Sequence, residues 1–306
     1  MRKAAGFTLI EVVVSLAILG VLLGLLLGAI HRVRVSALKT TSANNLRQFA
    51  LATQQYADQN DGTIRNLIPN NVYPSHTANG GWSFINPNPY NETILFSILP
   101  LIDADKPVLP PPPKNPTAED LKIYSVMPIV PTYTSPADPT LSTFPVPEGN
   151  NIRTKCSYAH NAQVFHDTLS LSASIPDGLS NTISFSERYF NWGTPGGHFQ
   201  TWDMACPPLG SPASGFRRAS FADPAAYDVC PMILPDGRTV ATRRGVTFQI
   251  RPTMEFADSK LLQTPYDSGL LVAFFDGSVR TIRGGVSETS FWGMVTPAGG
   301  EVSSDD

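Results

Sequence analysis

The sequence predicts an α+β protein: a long N-terminal helix, half of it transmembrane, followed by a β-rich, loop-rich globular head. Three observations carry that reading. Residues 7–30 are almost wholly apolar. No Pro or Gly interrupts residues 31–60, where apolar side chains recur near helical spacing. The 28 Pro and 23 Gly are spread along the chain without a Gly-X-Y period, the pattern of loops between short strands.

The first element reads FTLIEVVVSLAILGVLLGLLLGAI from Phe7 to Ile30, long enough to cross a bilayer as one helix. Before it stands the short basic stretch MRKAAG. A secretory signal has a shorter apolar region of about 7 to 15 residues and a small-residue cleavage site after it, so that reading fits poorly. Glu11 is the single ionisable group of the segment. A carboxylate deep in a membrane helix costs roughly 2.5 to 3.5 kcal/mol on insertion scales, so something must offset it. The plain alternative is a signal anchor with Glu11 reaching to the interface.

These residues resemble the type IV prepilin signal: a basic leader, Gly6, then Phe7-Thr8-Leu9-Ile10-Glu11 opening the apolar helix. The resemblance implies a leader of residues 1–6, removed by a prepilin peptidase between Gly6 and Phe7 on the cytoplasmic side. It also implies methylation of the new Phe7 amine and retention of helix 7–30 in the bacterial inner membrane. Cleavage creates an ammonium on Phe7 that Glu11 of a like or related subunit can neutralise when helices slide into register. Arg2 and Lys3 before the span and Arg32, Arg34 and Lys39 after it leave the positive-inside count ambiguous. The leader places the head in the periplasm, or outside the cell after filament assembly.

From residue 31 to 60 the helix is expected to continue as an amphipathic one, with Leu38, Leu46, Phe49, Thr53 and Tyr56 on its apolar side. From Phe7 to Asn60 it makes a rod of roughly 80 Å. Asp61-Gly62 ends it, and residues 61–306 form the head. Within the head, Asn66 to Asn91 reads as loops and Glu92 to Ile102 as a short apolar element. The proline tract 106–116, KPVLPPPPKNP, reads as a stiff surface loop in preference to a ligand for a partner domain.

Four stretches carry a second resemblance: SANNLRQFALATQQY (42–56), CSYAHNAQVF (156–165), IPDGLSNTISFSER (175–188) and LLVAFFDGSVRTI (270–282). Together they are similar to the family catalogued as domain of unknown function 1559, whose members join a prepilin-type start to a β-rich, pseudopilin-like head. The resemblance spans nearly the whole chain and implies a pilin-like fold. The family's last motif carries a His, nine residues, then Asp-Gly; here Asp276-Gly277 fits, and Tyr266 stands at the His position.

Asp276-Gly277, between apolar Leu270–Phe275 and Val279–Ile282, predicts a hairpin whose turn those two residues make, because Asp and Gly tolerate positive φ. Asp236-Gly237 reads the same way. Asp177, Ser180 and Asn181 concentrate oxygen side chains before a strand. They read as a turn, with calcium as the alternative, since the spacing is not that of an EF-hand.

A net charge of -3 gives no basic footprint for nucleic acid. His31, His76, His160, His166 and His198 are scattered without a ligand or nucleophile motif, and read as core or surface residues. Cys156, Cys206 and Cys230 lack Cys-x-x-Cys spacing. A Cys206–Cys230 pair with Cys156 unpaired and three reduced thiols fit equally. Tyr189, Trp192, Phe199 and Trp202 around the loop 193–198 read as head packing in preference to a sugar-stacking surface. The expected function is a structural, non-enzymatic, cofactor-free filament subunit of a type II secretion pseudopilus or type IV pilus. The alternative is a membrane-anchored binding module that never polymerises.

Overall fold

In the computed structural model the described residues are 8–64, 75–76, 82–83, 94–102, 130–141, 155–165, 169–171, 173–192, 198–201, 216–222, 232–233, 239–240, 247–258 and 261–298. The leader, Gly6, Phe7, the proline tract 106–116, His166, Cys206, Cys230, Trp202, the loop 193–197 and Asp236-Gly237 lie outside them. The fold is α+β, a long apolar N-terminal helix followed by a mixed-sheet head.

Helix α1 runs Leu9–Asp58 without a break, about 75 Å long at 1.5 Å per residue. Its start is a capping box: the Thr8 side chain accepts from the Glu11 N–H, and the Glu11 side chain accepts from the Thr8 N–H. At its end the chain turns through positive φ at Asp61 (55°) and Gly62 (74°), and the Gly62 N–H closes back on the Ala57 carbonyl at 2.8 Å. The two halves of α1 have different surroundings. Every side chain from Leu9 to Ile30 is exposed, whereas Ser42, Asn45, Leu46, Phe49, Ala50, Thr53 and Ala57 are buried on one face.

Among the described residues the other α-helices are α2 (Ile94–Ile102), packed on α1, and α3 (Glu288–Val295), capped by the Ser287 side chain. The strands that position the site are β1 (Tyr158–Asn161), β2 (Ile183–Glu187), β3 (Ser220–Phe221), β4 (Phe248–Ile250), β5 (Leu262–Thr264), β6 (Leu270–Phe274) and β7 (Val279–Ile282). The central sheet has the order β3-β1-β2-β6-β7 and is antiparallel except for the parallel β3–β1 pair. Strands β4 and β5 form a separate parallel pair.

Both faces of the sheet are covered, so β6 reads as a continuous apolar run. Leu271, Ala273 and Phe275 face the cluster under α1 and α2, while Leu270, Val272 and Phe274 face the cluster that includes Phe291 and Val295 of α3. On β2 simple alternation would put Ile183 and Phe185 on the same face. Phe185 nevertheless packs under α1, and Ile183 on the α3 side. The cause is a bulge: Ala273 pairs with Phe185, and its neighbour Phe274 pairs with Ile183, leaving Ser184 as the extra residue. The Ser184 hydroxyl donates to the Ala273 carbonyl at 3.0 Å.

Candidate functional site

The exposed half of α1 is the first part of the site. Leu9 is 85% exposed, and no apolar side chain from Leu9 to Ile30 touches the head closely enough to be buried. Length and composition suit this helix to a membrane. Glu11 Oε2 accepts from both the Thr8 N–H and the Thr8 hydroxyl at 2.8 Å. Oε1 is left without a partner among the described residues. The cap therefore supplies part of what offsets the carboxylate, and uses one of its two oxygens. The Thr8-x-x-Glu11 spacing signals this cap in the sequence, where the charge alone drew attention.

The second part is the seat of α1 on the head, where contacts run in order along the helix. Lys39 Nζ donates to the Ser268 hydroxyl at 2.6 Å and lies 5.9 Å from the centre of the Tyr266 ring. Ser42 shares a hydrogen bond with Ser135 at 2.8 Å and accepts from the Tyr266 hydroxyl at 3.3 Å. Asn45 Nδ2 donates to the Tyr158 hydroxyl at 3.1 Å. Phe49 meets Tyr133, Tyr158 and Phe185 edge-on, with ring centres 5.4, 5.1 and 5.7 Å away. Further along, Gln54 Nε2 donates to the Phe275 carbonyl. The seat is thus polar near the membrane segment and apolar beyond it.

Two carboxyls are buried in or beside that polar layer. Glu187, at the end of β2, is 2% exposed, and its Oε1 has no hydrogen-bond partner. Burial pushes its pKa up to about 8, against hydrogen bonding from Ser42, the Leu271 N–H and Thr264. Asp138 accepts four bonds: from the Thr140 N–H at 2.9 Å, the Thr140 hydroxyl at 2.6 Å, the Ser157 hydroxyl at 2.7 Å and the Phe190 N–H at 2.8 Å. Burial still raises its pKa, and its charge partly offsets the desolvation that lowers that of Lys155. Tyr158 and Tyr266 are likewise raised, by burial first and by the Glu187 charge second. Tyr266 therefore belongs to the seat of α1, with its hydroxyl turned to Ser42.

The turn residues come together at the distal end of the seat. Strands β6 and β7 do form a hairpin, but its loop has three residues, Phe275, Asp276 and Gly277. The Gly277 N–H bonds the Phe274 carbonyl at 3.1 Å, and the Phe274 N–H bonds the Ser278 carbonyl at 2.9 Å. Only Gly277 takes positive φ (85°), which makes this a turn closed by a left-handed Gly, and not the two-residue turn expected from Asp276-Gly277. Asp276 Oδ1 instead accepts from the Ser278 N–H at 2.8 Å. The loop of Asp177, Ser180 and Asn181 packs against this hairpin: the Asp276 N–H donates to the Leu179 carbonyl, and Arg280 donates to the Ser180 carbonyl. Asn181 Nδ2 donates to the Asp177 carbonyl at 2.9 Å, and Gly178 has φ 95°.

His160 is buried with its ring 5.7 Å from that of Phe165. The strand carrying it stops at Asn161, whose side chain accepts from the Gln163 N–H, so residues 159–165 are not one unbroken strand. Cys156 is buried and donates to the Tyr158 carbonyl at 3.1 Å. Tyr189 is buried.

The description "Prokaryotic N-terminal methylation motif" matches residues 1–27, and "Protein of unknown function (DUF1559)" matches residues 32–286. No curated protein and no solved structure matches.

Proposed function

Because the chain belongs to the DUF1559 family and opens with a prokaryotic N-terminal methylation motif, we propose that it is a prepilin-like structural subunit that assembles into a filament through α1. The motif supports its being a substrate of type IV or type II pilin machinery. On this reading a prepilin peptidase cuts between Gly6 and Phe7, and the mature chain stays in the inner membrane with its head on the exported side. It later leaves the bilayer by packing against like or related subunits. The role is structural, with no reaction catalysed and no cofactor needed.

The observation that carries the assembly step is the division of α1. Half of it is seated on the head, while the other half bears an apolar surface that only lipid or another helix can cover, and carries one carboxylate at its very start. A helix retained solely as an anchor has no use for the charge of that acid, since a neutral acceptor would cap Thr8 as well. The Glu11 Oε1 atom, left over by the cap, is the group available to a neighbour's Phe7 ammonium.

Co-expression with a prepilin peptidase, followed by intact-mass analysis of membranes and imaging of sheared surface fractions, tests both steps. The expected result is a chain beginning at methylated Phe7 and present in filaments. Cleavage beyond the apolar segment, or none, overturns the processing step. Abundant cleaved protein with no filament and no helix-to-helix cross-links along Leu16 to Leu27 overturns the assembly step and leaves an anchored binding module.

A further inference from the structure

Glu187 sits where the membrane-proximal part of α1 crosses the sheet, beside the Ser42 hydroxyl and the Leu271 N–H, which favour its ionised form but leave one oxygen unserved. Its Oε1 is buried without a partner. Thr264 Oγ1 approaches Oε2 at 3.4 Å but also donates to the Gly269 carbonyl at 3.0 Å, and its single proton cannot serve both. A carboxyl that keeps its own proton can donate to Thr264 Oγ1 instead. We propose that Glu187 is a proton-binding site that locks residues 39–46 of α1 onto the head, so that losing the proton opens this layer while the apolar part of the seat holds.

Among the groups facing Glu187, Ser42 and the Leu271 N–H favour the carboxylate, and burial outweighs them to favour a proton. From α1 come Ser42 and, at the rim, Lys39, which is engaged by Ser268. Tyr158 reaches it from β1, and Tyr266 from the loop before β6. Beyond Tyr266, Asp267 is paired with Arg251 at 3.0 Å. On the continuation of β2, Arg188 donates to the Ser220 carbonyl and Tyr189 is buried. From the loop 130–141, Asp138 adds a like charge that favours the protonated form. A calcium ion takes six to eight oxygens, usually with several carboxylates. No group of three His, Cys, Asp or Glu suited to a metal occurs among the described residues.

The opening is local because the seat is divided. The polar layer contains the titrating group, whereas the next turns of the helix are held by the packing of Phe49 and its aromatic neighbours and by the Gln54 bond to the Phe275 carbonyl, none of which titrates in this range. Lys39 follows Ile30 by nine residues, about 13 Å along a helix, so the lock lies just above the membrane segment. The closed form keeps its proton up to about 8, while an open, hydrated carboxyl releases it near the ordinary value of 4.5. Closing therefore weakens by up to about tenfold per pH unit through that window and levels off above it. The lock does not depend on filament assembly, and goes beyond it.

The test is hydrogen exchange of the full-length protein in detergent micelles, with protection at each amide referred to its intrinsic rate at each pH. Protection of residues 42–46 is expected to fall as pH rises from about 5 to about 8 and then to level off, with residues 53–57 unchanged. Glu187→Gln, a neutral stand-in for the protonated acid, should stay protected throughout. A flat wild-type profile, an equal slope in Glu187→Gln, an equal loss at 53–57, or recovery of protection on adding calcium each overturns the lock. If Glu187→Gln does not fold, infrared spectra of the wild type decide: a protonated carboxyl band at neutral pH that fades past about 8 supports it, and its absence overturns it.

Discussion

Thr8 and Glu11 hold each other at the start of α1: the Thr8 N–H and hydroxyl both donate to Glu11 Oε2 at 2.8 Å, and the Thr8 oxygen accepts from the Glu11 N–H at 3.4 Å. Glu11 therefore has a local task as well as a charge. Two substitutions separate them. Glu11→Gln keeps a capping acceptor but removes the charge, whereas Thr8→Val removes the cap at a cost of about 0.5 to 2 kcal/mol and keeps the charge. If the charge pairs with a neighbour's Phe7, Glu11→Gln loses filaments at normal membrane levels and Thr8→Val retains them. The readout is the filament fraction per unit of cleaved protein, and the reverse ranking would assign the acid to capping alone.

Gly277 takes positive φ (85°), and a Cβ there would lie 3.0 Å from Leu51 Cδ2 on α1. Gly277→Ala combines backbone strain with a contact that Leu51 must relieve. It is expected to destabilise the head by about 1 to 2 kcal/mol, read as a lower melting temperature of the full chain in detergent. Leu51→Ala in the same background should recover part of the loss, because it removes the side chain the new methyl meets. A double variant no better than Gly277→Ala would place the whole effect in the backbone.

The features of α1 were legible because they are local. Apolar Phe7 to Ile30 gives the membrane segment by length alone, and Leu46, Phe49 and Thr53 give the seated face by period. The β6–β7 hairpin was legible for the same reason, though its loop length was not, since Asp276-Gly277 suits both two-residue and three-residue turns. The polar layer was not legible. Ser42, Ser135, Glu187 and Tyr266 are up to 224 residues apart and meet only through the tertiary fold. The bulge at Ser184 also hides the faces of β2, since it breaks the alternation a reader would count.

The loop of Asp177, Ser180 and Asn181 is expected to behave as a turn and not as a metal site. Asn181 Nδ2 closes the loop on the Asp177 carbonyl, and the Asp177 N–H ties it to the Pro297 carbonyl at 3.3 Å, the bonds of a turn. Melting the full chain with calcium and with chelator should give the same midpoint. Asn181→Ala should lower it in both by an amount matching about 0.5 to 1.5 kcal/mol for one hydrogen bond. A calcium-dependent rise of several degrees that vanishes in Asp177→Ala would establish the metal site instead.

Asp138 ties three segments together, because its two oxygens collect Thr140, Ser157 and the Phe190 N–H in one buried place. Asp138→Ala orphans these donors and is expected to destabilise the head by about 3 to 5 kcal/mol. Asp138→Asn keeps two bonds at Oδ1 and should cost less. The pH dependence carries a sign that can be worked out. Burial raises the folded pKa of both Asp138 and Glu187, so each binds its proton more tightly folded than unfolded. Such a group contributes stability that is fully present below its unfolded value and is lost as pH rises through the folded one. The melting temperature should therefore be highest in mild acid and should fall up to about pH 8, the value reached by Glu187. In Glu187→Gln the fall should shrink by the share of one titrating group, and what remains should shrink again when Asp138→Asn is added. A wild-type melting temperature that rises between mild acid and pH about 8 would mean that both carboxyls are ionised in the folded head, held by partners stronger than burial.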